Sequence, residues 1–324
     1  MCEGRGTLSA DDMTAVKVYQ VRHGIPADGK LGPATVKSLN VPMSARVTQI
    51  EDALERWRWL PEPYVTPRLL VNLPEFVLRG YSPAHEQEFA MRVVDGKRKD
   101  NHATPVFTHM MKYMIFRPYW NVPISIIKKE LVAHVSANPG YLESKNYEVL
   151  GRSGKPITEY TASSLEHGGY LVREKPGPTN SLGLVKFMFP NQFDIYLHST
   201  PEKSLFERTV RDYSHGCVRV QHPDELAVWV LQGQNAKDGE PWDLEKVNTA
   251  MNDEDGNNKQ VNLKTELPID IYYLTAFPEG EGKMGFFDDL YGYDADLEQT
   301  IQHGPPYPTA PLPPKQSTEP GDTV

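Results

Sequence analysis

Apolar and polar positions alternate with two different periods along this chain. Between residues 9 and 40 the period is helical. Ser9 with Asp12 forms a capping box, and Met13, Val16 and Tyr19 follow at helical spacing. Gly24 ends that helix, a turn-rich stretch runs from Pro26 to Gly32, and Pro33 opens a short helix reaching about Leu39. This unit is too small to own a core. Thr48 and Glu51 read as a second capping box; Ile50, Leu54 and Trp57 form one stripe, and Pro61 stops the helix. Trp57 and Trp59 are expected to dock that helix on the next domain.

From Arg68 the period falls to two. Leu69, Val71 and Leu73, then Phe76 and Leu78, then Phe89, Met91 and Val93 mark strands, with Asp95-Gly96 as a hairpin-type turn. Further short strands fit 105–107, 113–116, 184–189, 194–198, 217–220 and 269–275. The segment from about 125 to 177 interrupts this rhythm with a helical stretch at 126–136 and turn signals at Asn138-Pro139-Gly140, 151–154 and Gly168-Gly169. An insertion of this length is more than a loop and predicts a small subdomain, read as a lid. Pro223 opens a helix that Gly233 ends. The predicted class is α+β, mainly β, with a sandwich or folded-over sheet.

Composition narrows the function. The 324 residues carry 34 Lys plus Arg against 43 Asp plus Glu, a net charge of −9. That excludes the basic face of a non-specific nucleic-acid binder. No run approaches the ~18 apolar residues of a membrane span. With only Cys2 and Cys217, neither a disulfide scaffold nor a four-cysteine zinc site is available. Residues 1–12 lack the apolar stretch of an export signal, which fits a cytoplasmic protein or a mature, trimmed chain. The loop 252–258 superficially resembles a calcium loop, but position twelve counted from Asp253 is Lys264, not Glu.

The chemistry concentrates between Tyr196 and Arg219. If Ile195, Leu197, Val218 and Val220 face the core, then Tyr196, His198, Cys217 and Arg219 share the opposite face of two strands. Neighbouring strands would bring His198 beside Cys217, with Tyr196 and Arg219 flanking. A thiol is mostly protonated at neutral pH and only the thiolate attacks; an adjacent imidazole takes the proton and holds the thiolate by charge. Arg219 would lower the thiol pKa further or bind an anionic group. Gly216 would let a substrate approach the backbone. The N–H groups around His215, Gly216 and Cys217 would meet a developing oxyanion, worth ~3–4 kcal/mol per donor. Two blander readings stand beside this one. A lone cysteine is usually a small buried hydrophobe. A zinc site from His198, His215, Cys217 and His222 fits no common ligand spacing.

The strings His198-Ser199-Thr200-Pro201 and Ser214-His215-Gly216-Cys217-Val218-Arg219 resemble the signature of the L,D-transpeptidases, the YkuD-type catalytic domain. Trp57-Arg58-Trp59-Leu60-Pro61, Pro118-Tyr119-Trp120-Asn121-Val122-Pro123 and Phe189-Pro190-Asn191 resemble the large Gram-negative members, which carry an inserted capping subdomain. Tyr19-Gln20, Asp28-Gly29 and Gly32-Pro33-Ala34-Thr35 resemble the second half of a peptidoglycan-binding helical module.

The resemblance implies a β-sandwich catalytic domain over 68–300 with the insertion at about 125–177. It also implies a partial helical module at 1–42, a linker helix at 43–67 and a Pro-rich tail at 301–324. It makes Cys217 the nucleophile and His198 the general base, oriented by the Ser199 carbonyl. His215, Gly216 and Cys217 would form the oxyanion region; Arg219, Tyr196 and Trp120 would line the cleft, with Ser214 beside the site. No metal or cofactor is implied. The implied partners are peptidoglycan stem peptides: a tetrapeptide donor that releases D-Ala and a meso-diaminopimelate acceptor, giving 3→3 cross-links. The implied location is the periplasm or cell envelope. Departures are the half module, the missing export signal, Arg117 where relatives often have Asn, and a basic stretch at 95–102. The alternatives are an L,D-carboxypeptidase using the same thioester, a sortase-like transpeptidase, whose histidine lies much further before its cysteine, and a non-catalytic wall-binding protein.

Overall fold

The computed structural model describes residues 8–61, 63–99 and 102–305. Cys2 and the tail beyond 305 lie outside them. The capping box at Ser9 forms and starts the helix Ala10–Arg22; Pro33 opens Pro33–Leu39. The next helix starts earlier than Thr48. It runs Met43–Trp57 after Pro42, and Thr48 sits inside it with its hydroxyl on the Ser44 carbonyl. Its inward face meets Leu70, Tyr272 and Phe277, and the Trp57 ring lies 5.8 Å from Tyr272. Trp59 does not dock: it is exposed, past the helix end.

Nine strands form the main sheet. The strand Val77–Tyr81 pairs with Arg68–Asn72 on one side and Gln87–Gly96 on the other, so eight of the nine close into a ring. The expected sandwich is therefore joined along both edges, which leaves no open edge between those strands. Its interior holds Leu69, Val71, Phe116, Phe187, Leu197, Val218, Ile269 and Tyr273, all essentially inaccessible. Asp95-Gly96 is not the turn that the dipeptide predicts. The strand continues through both residues and pairs them with Asp212–Ser214, burying Asp95.

The insertion is a subdomain with its own core. Its four-stranded sheet comprises Trp120–Asn121, Leu171–Glu174, Tyr147–Leu150 and Pro156–Ile157. A helical segment packs Ile126, Ile127, Leu131 and Val135 against Val149 and Val172. At the C-terminal end, the helix Tyr293–His303 runs slightly past the expected start of the tail.

Candidate active site

Three short strands set the site. Leu197–His198 runs parallel to Val218–Val220 and antiparallel to Val185–Met188. Ile195, Leu197, Phe187, Val218 and Val220 are buried in the ring's interior, as the period-two reading requires. The other face carries two rows. In one, Lys186, His198 and Arg219 stand opposite one another. In the other, Cys217 follows on from Arg219 beside Tyr196, where the Val218 N–H bonds the Tyr196 carbonyl. His198 and Cys217 are thus diagonal neighbours.

The His198 imidazole is buried, and its Nδ1 lies 2.5 Å from the Ser199 carbonyl oxygen. A carbonyl can only accept, so Nδ1 carries the proton and Nε2 keeps a lone pair. Burial, with Arg219 and Lys186 opposing a further positive charge, lowers the His198 pKa to about 3. Cys217 is partly buried, and its thiol points to the Asp194 carbonyl at 3.6 Å. Burial raises its pKa to about 11, against hydrogen bonds from Tyr196 and the charge of Lys186. The resting pair is therefore a neutral thiol and a neutral imidazole. This differs from the ion pair expected from proximity alone, because loss of water penalises both charges.

The loop 214–217 is tied at every residue but one. Ser214 is buried; its hydroxyl donates to the Cys217 carbonyl at 2.5 Å and accepts from the Gly216 N–H at 3.1 Å. The Thr104 hydroxyl donates to the Gly216 carbonyl, and the Lys97 N–H to the Ser214 carbonyl. Gly216 adopts φ +122°, and a Cβ there would meet Ile195 at 3.1 Å. Its role is conformational: its N–H is already taken and its surroundings are filled. The His215 and Cys217 N–H groups have no partner among the described residues, so they are the loop's open donors. The His215 side chain turns outward to Glu130.

Two expected cleft residues sit differently. Arg219 is ion-paired with Glu202, so its guanidinium is not simply open to an anionic substrate. Trp120 packs toward Tyr147 in the inserted subdomain, ring centres 6.4 Å apart. A cavity of about 370 Å³ opens beside Ser199, lined by Gly183, Thr200, Lys203, Asp224 and Met251 among others; neither Cys217 nor His198 lines it.

Sequence reasoning missed Lys186 and Glu130. Lys186 was findable: with Val185 and Phe187 inward, period two puts Lys186 on the histidine's face. Its ammonium lies 5.3 Å from the Tyr196 ring centre. Glu130 had no such signal, being 85 positions from His215.

The chain matches the family model of the YkuD L,D-transpeptidase catalytic domain over residues 66–247. It is similar to a Haemophilus influenzae protein named "Putative L,D-transpeptidase", with 30% identity over 232 residues. That match covers 71% of this chain and 45% of the relative, so the chain spans about half the length of the curated protein. It also resembles an L,D-transpeptidase structure (residues 123–326) from Xylanimonas cellulosilytica, with 13% identity, coverage of 84% and 85%, and TM-score 0.30. A second, from Stackebrandtia nassauensis, has 16% identity, coverage of 70% and 78%, and TM-score 0.26. Structural likenesses of that strength carry no weight for the site.

Proposed function

The chain belongs to the YkuD L,D-transpeptidase catalytic-domain family, and from that premise we propose that it is a cysteine acyltransferase forming 3→3 cross-links in peptidoglycan. Cys217 Sγ attacks the carbonyl carbon of the third residue of a tetrapeptide stem while His198 Nε2 takes the thiol proton. The tetrahedral oxyanion meets the open N–H groups of Cys217 and His215. Its collapse breaks the amide bond, the imidazolium returns the proton to the leaving amine, and D-Ala departs. A thioester remains. The side-chain amine of a second stem's diaminopimelate then attacks it, loses a proton to His198, and restores the thiol.

One observation supports this reading most directly. The Ser199 carbonyl accepts from His198 Nδ1, leaving Nε2 unprotonated on a histidine that strand register sets diagonal to Cys217. With His198 near 3 and Cys217 near 11 the pair is neutral at rest, so transfer of the thiol proton to Nε2 is coupled to attack on the bound carbonyl and does not precede it. A peptidoglycan substrate places the reaction in the cell envelope. Among the described residues no helix is long and apolar enough to cross a membrane.

The test is incubation of the purified chain with a tetrapeptide muropeptide, followed by mass spectrometry. A cross-linked dimer lacking one D-Ala, abolished by Cys217→Ala, supports the proposal. Tripeptide alone makes the protein a carboxypeptidase. Unchanged substrate leaves only wall binding.

A further inference from the structure

The inserted subdomain is attached to the catalytic domain at two ends. At its neck, the buried Asn180 side chain donates to the carbonyls of Pro118, Glu174 and Lys175 at 3.3, 3.3 and 2.9 Å. The Ser181 N–H donates to the Glu174 carboxylate at 2.9 Å. Far from the neck in sequence, His215 Nε2 donates to Glu130 Oε1 at 2.8 Å. His215 stands two residues before Cys217 on the loop whose backbone is fixed on both sides.

Glu130 lies in a local irregularity of its helical segment. The segment Ile127–Leu131 is a π turn, closed by a bond from the Val132 N–H to the Ile127 carbonyl. Ile127 and Leu131 are buried in the subdomain's core, and Glu130 between them faces outward. Single π turns inside α-helices often mark functional positions. On its other side the His215 ring meets His102 edge-on, with centres 4.7 Å apart.

We propose that Glu130 is a positioning residue: by holding the His215 imidazole it docks the inserted subdomain on the loop that carries Cys217 and keeps the thioester covered from water. This rests on the thioester reading above. The pair is half-exposed, with 31% of the His215 and 49% of the Glu130 side chain accessible. Such a pair biases a closed state by about two- to five-fold and does not lock it. The neck holds the subdomain while the Glu130 contact opens and closes, so substrate enters without unfolding anything.

The experiment compares hydrogen exchange of residues 124–137 in the full chain and in Glu130→Ala, Glu130→Gln, His215→Ala and the Glu130→Ala/His215→Ala double variant. Exchange should rise about two- to five-fold in each alanine variant, and no further in the double variant. Glu130→Gln should stay near wild type, because its amide oxygen still accepts from Nε2–H. With tetrapeptide donor and amine acceptor, Glu130→Ala should shift the ratio of hydrolysed to transferred product toward hydrolysis by a similar factor. Wild-type exchange in Glu130→Ala, additive effects of the two single changes, or loss in Glu130→Gln equal to that in Glu130→Ala overturns the proposal. If the wild type forms no acyl-enzyme, the thioester reading fails, and the exchange comparison still decides the docking contact. If the wild type turns over and Glu130→Ala partitions identically, the covering role fails while the thioester reading stands.

Discussion

His198 stands directly opposite Arg219 across the parallel strand pair, and this leaves Cys217, two residues earlier, diagonal to the imidazole. The guanidinium therefore acts first on the histidine. It opposes a second positive charge beside it and helps keep the base neutral. The thiol is governed by burial and by Tyr196 and Lys186 instead.

A neutral pair predicts a particular pH profile. With His198 near 3 and Cys217 near 11, both stay uncharged across the neutral range. Attack assisted by the imidazole should then be nearly flat between pH 5 and 8, because neither population changes. Attack by free thiolate would instead rise about tenfold per pH unit below the thiol pKa. The check is the rate of Cys217 acylation by the tetrapeptide donor, followed by intact mass. A tenfold rise per unit, or a thiolate absorbance midpoint below pH 7, would show that the base is not used as described.

Lys186 supplies the cationic charge acting on the thiol. Replacing it by Met removes a pull that lowers the Cys217 pKa, so less thiolate is present at any alkaline pH. Alkylation by iodoacetamide at pH 9 should slow by roughly threefold or more in Lys186→Met. Lys186→Arg keeps the charge and should remain near wild type. Equal rates in all three proteins would mean that Lys186 only packs over Tyr196.

The heart of this site was legible because Cys217 and His198 lie close in the chain, on short strands with clear period-two burial. Ile195, Leu197, Val218 and Val220 face inward as their pattern requires. Local signals failed where tertiary pairing outweighed them. Asp95-Gly96 has turn chemistry, yet strand pairing to Asp212–Ser214 carries the chain straight through. Thr48 resembles a cap, but helical continuity back to Met43 satisfies the same N–H groups. The neutral state of the thiol and imidazole was not legible at all, since burial is a property of the whole ring and not of the motif.

Gly183 tests how the base is aimed. It adopts φ +62°, and a Cβ there would lie 2.5 Å from Ser199 Oγ and 2.7 Å from the Thr200 nitrogen. Gly183→Ala must therefore displace Ser199, whose carbonyl orients His198. Left-handed strain and overpacking together should cost roughly 2–5 kcal/mol. Gly233→Ala is the control: φ is +75°, nothing lies within 4 Å of its Cβ, and the cost should be about 1–2 kcal/mol. At a temperature where both variants are folded, acylation of Cys217 should fall in Gly183→Ala and not in Gly233→Ala. A Gly183→Ala protein that matches the control in both melting and acylation would sink this account of the histidine's support.

Asp95, on the strand Gln87–Gly96, links the ring to stability. It is fully buried, and neither carboxylate oxygen has a hydrogen-bond partner among the described residues. Burial raises its pKa well above the usual carboxylate value, with Arg211 opposing and Asp212 adding to the rise. The folded protein therefore keeps a proton that the unfolded chain releases near pH 4. Above that pH the unfolded state binds fewer protons than the native one, so stability falls as pH rises until the folded pKa is reached. The loss approaches ~1.4 kcal/mol per pH unit within that window. Asn has no proton to lose, so Asp95→Asn should flatten the fall of unfolding free energy with pH that begins above about pH 4. An amide left without partners adds a constant offset of about 1–3 kcal/mol. The slope is thus the diagnostic quantity, and the absolute stability at one pH is not. Urea titrations at several pH values measure it directly. Parallel lines for the two proteins would mean that Asp95 is ionised in the native state, held by Arg211.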